Sequence, residues 1–185
     1  MKTKAVRLYG ANDLRLETFE LGPVGADDVL CEVVCDSLCM SSYKETVQGA
    51  AHKRVPKDVA ENPIIIGHEF CGRVLEVGVN WRHKYSPGDK FAIQPSHFYM
   101  GALEAPGYSY PLCGGDATYV KIPREILLAD CLLPYESDAF FFGSLAEPMS
   151  CIAGGFHAMY HTAFGSYEHK MGIAENGSLA LLAAA

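Results

Sequence analysis

Four side chains in this sequence have the donor chemistry of a metal centre that keeps one position open: Cys39, His68, Glu69 and Glu147. Together they offer a thiolate, an imidazole and two carboxylates, a mixed sulfur, nitrogen and oxygen set that suits a catalytic zinc ion. They come from distant places along the chain. A structural zinc instead takes closely paired cysteines. The seven cysteines stand at 31, 35, 39, 71, 113, 131 and 151, with no C-x-x-C among them, and the segment 95–115 holds only Cys113. One catalytic zinc and no structural zinc is therefore the expectation.

Each donor also has a plain explanation. Cys39 could be a thiol at a strand end. His68-Glu69 could be a rim histidine beside an exposed acid. Glu147 precedes Pro148 at a predicted helix start, where the helix dipole favours a carboxylate without any metal. Gly67, between the apolar run Ile64-Ile65-Ile66 and His68, suggests a close approach of backbone. The combination carries the metal reading, with either carboxylate free to be the oxygen donor.

The elements that must position these residues are mostly short strands. Residues 4–10 and 14–20 alternate around the turn Gly10-Ala11-Asn12-Asp13. The run Asp28 to Cys39 suits a strand buried on both faces. Phe70 to Val79 alternates, Tyr85-Ser86-Pro87-Gly88-Asp89 is a strong turn, and strands are expected at Lys90 to Gln94 and Asp116 to Pro123. A short helix is expected over Ser41–Gln48. After Ser137 the pattern turns helical, with Pro148 predicted at the first helical position and Gly154-Gly155 ending or kinking the helix. A mainly β barrel or sandwich with short helices follows. The tail from Leu179 reads as the opening strand of a parallel α/β sheet that lacks its partners, so a longer natural polypeptide is expected.

Composition narrows the function classes. The chain has 185 residues, 49% hydrophobic and 20% charged, with net charge -7 and pI near 5.4. An acidic globular chain disfavours nucleic acid as a partner. No apolar run is long enough to span a membrane, and the N-terminus lacks a secretory h-region. Reduced thiols in the cytoplasm are the expectation. A small basic cluster, Lys44, His52, Lys53 and Arg54, reads first as a solvated loop and second as a place for a phosphate.

Five motifs in order resemble the zinc-dependent medium-chain alcohol dehydrogenases, especially the sorbitol-type polyol dehydrogenases. They are Cys39-Met40-Ser41-Ser42, Gly67-His68-Glu69, Pro87-Gly88-Asp89, Gly114-Gly115-Asp116-Ala117-Thr118-Tyr119 and Glu147-Pro148. Met40 and Ser42 depart from the family's usual Gly and Asp. The resemblance implies a GroES-like β-barrel catalytic domain over 1–150, with 151–185 leading into a truncated Rossmann nucleotide-binding domain. It implies Cys39, His68 and Glu147 as zinc ligands, with Glu69 a close alternative, and Ser41 as the hydroxyl that relays the substrate's proton. It also implies NAD or NADP in the full-length protein, a small-molecule polyol, ketose or sugar-phosphate alcohol as substrate, and a homo-oligomer. Two rivals remain at this level: a zinc hydrolase with Glu69 or Glu147 as base, and a non-catalytic barrel.

Overall fold

The computed structural model describes residues 1–95, 99–157 and 175–178. Strands β1 (Lys2–Gly10) and β2 (Asp13–Glu20) form an antiparallel hairpin. Strand β3 (Val29–Asp36) runs into helix α1 (Met40–Gln48). Strand β4 (Ile64–Ile65) pairs with β1. Strands β5 (Phe70–Val77), β6 (Lys90–Ile93) and β7 (Tyr119–Ile122) follow. Helix α2 (Arg124–Leu128), strand β8 (Leu132–Pro134), helix α3 (Phe140–Ser144) and helix α4 (Ala146–His157) complete the elements.

Two antiparallel sheets result, ordered β2-β1-β4 and β7-β3-β5-β6-β8. They are joined where Ala5 bridges Ala117, with Thr118 N–H donating to Lys4 O and Val6 N–H to Asp116 O. The join wraps the sheets around a core that includes Val29, Phe70, Val74, Phe91 and Ile122. Phe70 and Phe91 meet edge to face with centroids 6.0 Å apart. Phe70 is fully buried. Burial of such a ring is worth about 1.5–3 kcal/mol, and here it pins the residue that directly follows Glu69.

The chain divides into two compact units, Met1–Glu147 and Pro148–Ala185. In the second, Pro148–His157 are helical and Glu175-Asn176 form a turn. The expected strand from Leu179 lies outside the described residues.

Three expectations are corrected. First, β3 is buried on both faces only over Val29–Cys31, and Val34 is 43% exposed. Its pairing with β7 ends at Glu32, and its register with β5 shifts between Val33 and Cys35, so its last residues lack cover on one side. Second, α4 begins at Ala146, which makes Pro148 its third residue rather than its first. That position still lies in the turn whose N–H groups have no partner within the helix. Third, α4 continues through Gly154-Gly155 without ending there. Among the described residues, no helix is long and apolar enough to cross a membrane.

Candidate metal centre and substrate cavity

Three of the four expected donors converge. One ligand atom each from Cys39, His68 and Glu69 lies within 4.8 Å of the others. Cys39 caps α1, its Sγ accepting the Ser41 N–H at 3.4 Å and lying 3.2 Å from Ser41 Oγ. His68 and Glu69 occupy the step between β4 and β5, at 4% and 5% exposure. Asp36, at the end of β3, fixes that step: its Oδ1 accepts the Glu69 N–H at 3.1 Å. Glu147, in the first turn of α4, reaches this group through Glu69. Burial raises the pKa of Glu69, and a hydrogen bond with Glu147 raises it further.

The imidazole is prepared for coordination. Burial lowers the pKa of His68, and the Arg54 charge lowers it further, while Glu147 opposes them. A neutral ring is the ligand form. Ser42 Oγ lies 3.3 Å from Nδ1, and the Tyr108 hydroxyl 3.2 Å from Nε2. Both bonds are satisfied when Nδ1–H donates to Ser42 and Tyr108 donates to Nε2. That tautomer places the one lone pair of the ring on Nε2, where it accepts from Tyr108, with Glu69 Oε1 3.9 Å away.

These residues fit a zinc ion. Donor separations in a tetrahedral zinc site are about 3.3–3.8 Å given its bond lengths of about 2.0–2.3 Å. The observed spread needs a contraction of about 1 Å, within the reach of side-chain rotation. Two carboxyls sharing a hydrogen bond, Glu69 buried and Glu147 half-buried, are the kind of group that a cation stabilises by relieving charge repulsion.

Two glycines set the geometry. A Cβ on Gly67 would meet Asp36 Oδ2 at 2.2 Å and Asp116 N at 2.7 Å, which accounts for the close approach expected there. Gly107, with φ +74°, lies so close to Gly67 that a Cβ would meet the Gly67 carbonyl oxygen at 2.0 Å. That contact brings the loop carrying Tyr108 onto His68.

A cavity of about 120 Å³ opens on the centre, lined by Ser41, Arg54, His68, Tyr108 and Glu147 among others. A larger hollow of about 610 Å³ lies elsewhere, and its lining, which includes Tyr85, Phe91 and Tyr135, holds neither cysteine nor histidine. We assign the chemistry to the smaller cavity because His68, Glu147 and the Ser41 hydroxyl line it.

The alcohol dehydrogenase GroES-like domain profile matches residues 25–133, more than half of the chain. The chain belongs to this family. Among relatives of this GroES-like domain, an L-sorbose 1-phosphate reductase of Klebsiella pneumoniae is 54% identical over 180 residues, covering 97% of this chain and 44% of that protein. A mannitol-1-phosphate 5-dehydrogenase of Aliivibrio fischeri is 46% identical over 184 residues, covering 100% and 43%. The structure of 2R,3R-butanediol dehydrogenase from Bacillus subtilis superposes with a TM-score of 0.64 at 26% identity, covering 79% of this chain and 44% of that one. The chain thus spans less than half the length of these relatives.

Within this GroES-like domain, Tyr108 and Asp36 join the site without a motif in the sequence to mark them. Tyr108 lies in a loop without periodicity, and its one signal is the preceding Gly107. Asp36 reads as an ordinary strand-end acid. The solvated-loop expectation does not hold for His52 and Arg54: His52 is 8% exposed and Arg54 half-buried.

Proposed function

We propose that this chain is the catalytic portion of a zinc-dependent, NAD(P)-linked dehydrogenase acting on a polyol, ketose or sugar-phosphate alcohol. The observation that carries it is the convergence of Cys39, His68 and Glu69 beside the Ser41 hydroxyl. Membership of the alcohol dehydrogenase family and the names of the sorbose-phosphate and mannitol-phosphate relatives favour it over a metallohydrolase.

In this reading Cys39, His68 and one or both of Glu69 and Glu147 hold a single catalytic zinc, with no structural zinc. The ion would supply Lewis-acid polarisation of an alcohol or ketone oxygen. The chain's own residues do the rest. Ser42 holds the imidazole with Nε2 turned inward. Ser41 Oγ, beside the Cys39 sulfur and exposed on its other side, passes the substrate hydroxyl's proton to solvent. Buried His68 and Tyr108 keep water from that side of the cavity. Residues 1–150 form the catalytic domain, and 151–185 lead into a nucleotide-binding domain that brings the nicotinamide. The full-length protein is a cytoplasmic homo-oligomer.

The test is nicotinamide reduction by the full-length polypeptide with polyols and polyol phosphates. Activity that disappears with a chelator and in Cys39→Ser supports the reading. Turnover that survives both, or none with any polyol, counts against it.

A further inference from the structure

The basic cluster met in the sequence as a loop is tied to the metal centre by two ring contacts. His52 stacks on Tyr108 with centroids 5.6 Å apart and planes 13° from parallel. Tyr108 in turn packs on His68 at 4.7 Å. The cluster is therefore two ring contacts away from the imidazole proposed to bind zinc. Burial keeps His52 toward its neutral form, and the charges of Lys44, Arg54 and Lys53 reinforce it, so all three cations act on the same spot.

Arg54 is the inner member of this cluster. It lines the same cavity as His68, Ser41 and Glu147, and a neighbouring hollow lined by Lys53, Lys57 and Ser109 shares it as a wall. Its backbone is held on both sides: the N–H donates to His52 Nδ1 at 3.3 Å, and the carbonyl accepts from Ser109 Oγ at 2.7 Å. Its guanidinium donates from Nη1 to Leu103 O at 2.9 Å and sits 5.8 Å from the Tyr108 ring centroid. Among the described residues Lys44, Lys53 and Arg54 form no ion pair. A cationic group that forms no ion pair at a cavity rim, although Glu147 and Glu104 line the same two hollows, in a chain of net charge -7, requires a reason. An anchored guanidinium with further N–H donors free has the fork geometry that phosphate oxygens accept.

We propose that Arg54, backed by Lys53 and Lys44, is the phosphate-binding end of the substrate cavity, so that this chain selects a phosphorylated polyol or ketose over the free sugar alcohol. The proposal rests on the dehydrogenase reading and adds the residues that read the substrate's charge. The carbinol or carbonyl end points to His68 and Ser41. The Tyr108 ring, stacked on His52 and tilted against His68, forms the wall along which the carbon chain runs.

The test is calorimetric titration of the zinc-loaded full-length polypeptide with mannitol 1-phosphate and with mannitol, after metal content has been verified. The wild type is expected to prefer the phosphorylated ligand at least tenfold. Arg54→Gln is expected to reduce that preference at least tenfold, and Lys53→Gln, at an exposed position that cannot unfold the chain, by about twofold to fivefold. Inorganic phosphate is expected to compete with mannitol 1-phosphate and not with mannitol. Equal affinity for the two ligands in the wild type, or an undiminished preference in both variants, overturns the phosphate assignment while hydride transfer can still stand. A preserved phosphate preference without nicotinamide reduction by either ligand overturns the dehydrogenase reading alone.

Discussion

The phenol oxygen of Tyr108 lies 3.2 Å from Nε2 of His68, the ring nitrogen 3.9 Å from Glu69 Oε1. The hydroxyl thus holds the nitrogen that a metal would need. Tyr108 is 7% exposed, and burial raises its pKa, so it remains a neutral donor. When metal binds, this hydrogen bond must be given up. A typical net value of about 0.5–1.5 kcal/mol makes the exchange a modest cost.

Tyr108→Phe removes that cost in advance. Zinc affinity, measured against a competing chelator, is expected to rise about twofold to tenfold, while the metal-free variant loses about 1 kcal/mol of stability. A tenfold fall in affinity would show that the hydroxyl supports the bound metal instead.

Ser42 stands on the other side of the same ring, 3.3 Å from Nδ1. Orientation of a ligating histidine by its outer partner is worth about 10–100-fold in metal affinity. Ser42→Ala is expected to weaken zinc by about tenfold, and Ser42→Asp to restore it. An alanine variant with wild-type affinity would remove Ser42 from the account.

Much of this was legible from residue order. Strands β1, β2, β5 and β6 follow from alternation and turn chemistry, and α1 from the polar run after Cys39. The donors were legible because cysteine, histidine and paired acids have few structural uses at strand ends. Tyr108 was not, because its place depends on Gly107 lying against Gly67, a contact between segments about forty residues apart that no periodicity encodes. Strand β8 and helix α2 were missed for a related reason. Each is too short, at three and five residues, to display a period.

That glycine contact is itself testable. Gly107→Ala places a Cβ 2.0 Å from the Gly67 carbonyl oxygen at a φ of +74°. The loop must move, at a cost of about 1–3 kcal/mol, and Tyr108 moves with it. Thermal unfolding should show the loss. An unchanged melting temperature would mean that the loop is not held against Gly67.

Stability should also carry a pH signature from α1. Glu45 is fully buried with neither carboxyl oxygen hydrogen-bonded, and burial, aided by the Asp116 charge, pushes its pKa up to about 9. The folded chain therefore keeps a proton that the unfolded chain releases above its own pKa near 4.5. Stability falls as pH rises between those values, since the folded state binds more protons. Glu45→Gln removes this slope, so its advantage over wild type is expected to grow from pH 5 to pH 8. Parallel melting curves across that range would contradict the assignment.

Zinc content is the most direct measurement of all. The chain, equilibrated with excess zinc and freed of loose metal, is expected to retain one ion per chain by elemental analysis, and Cys39→Ser and His68→Ala close to none. A folded wild-type chain that retains no zinc, or variants that retain as much as wild type, would contradict the metal centre on which the functional account stands.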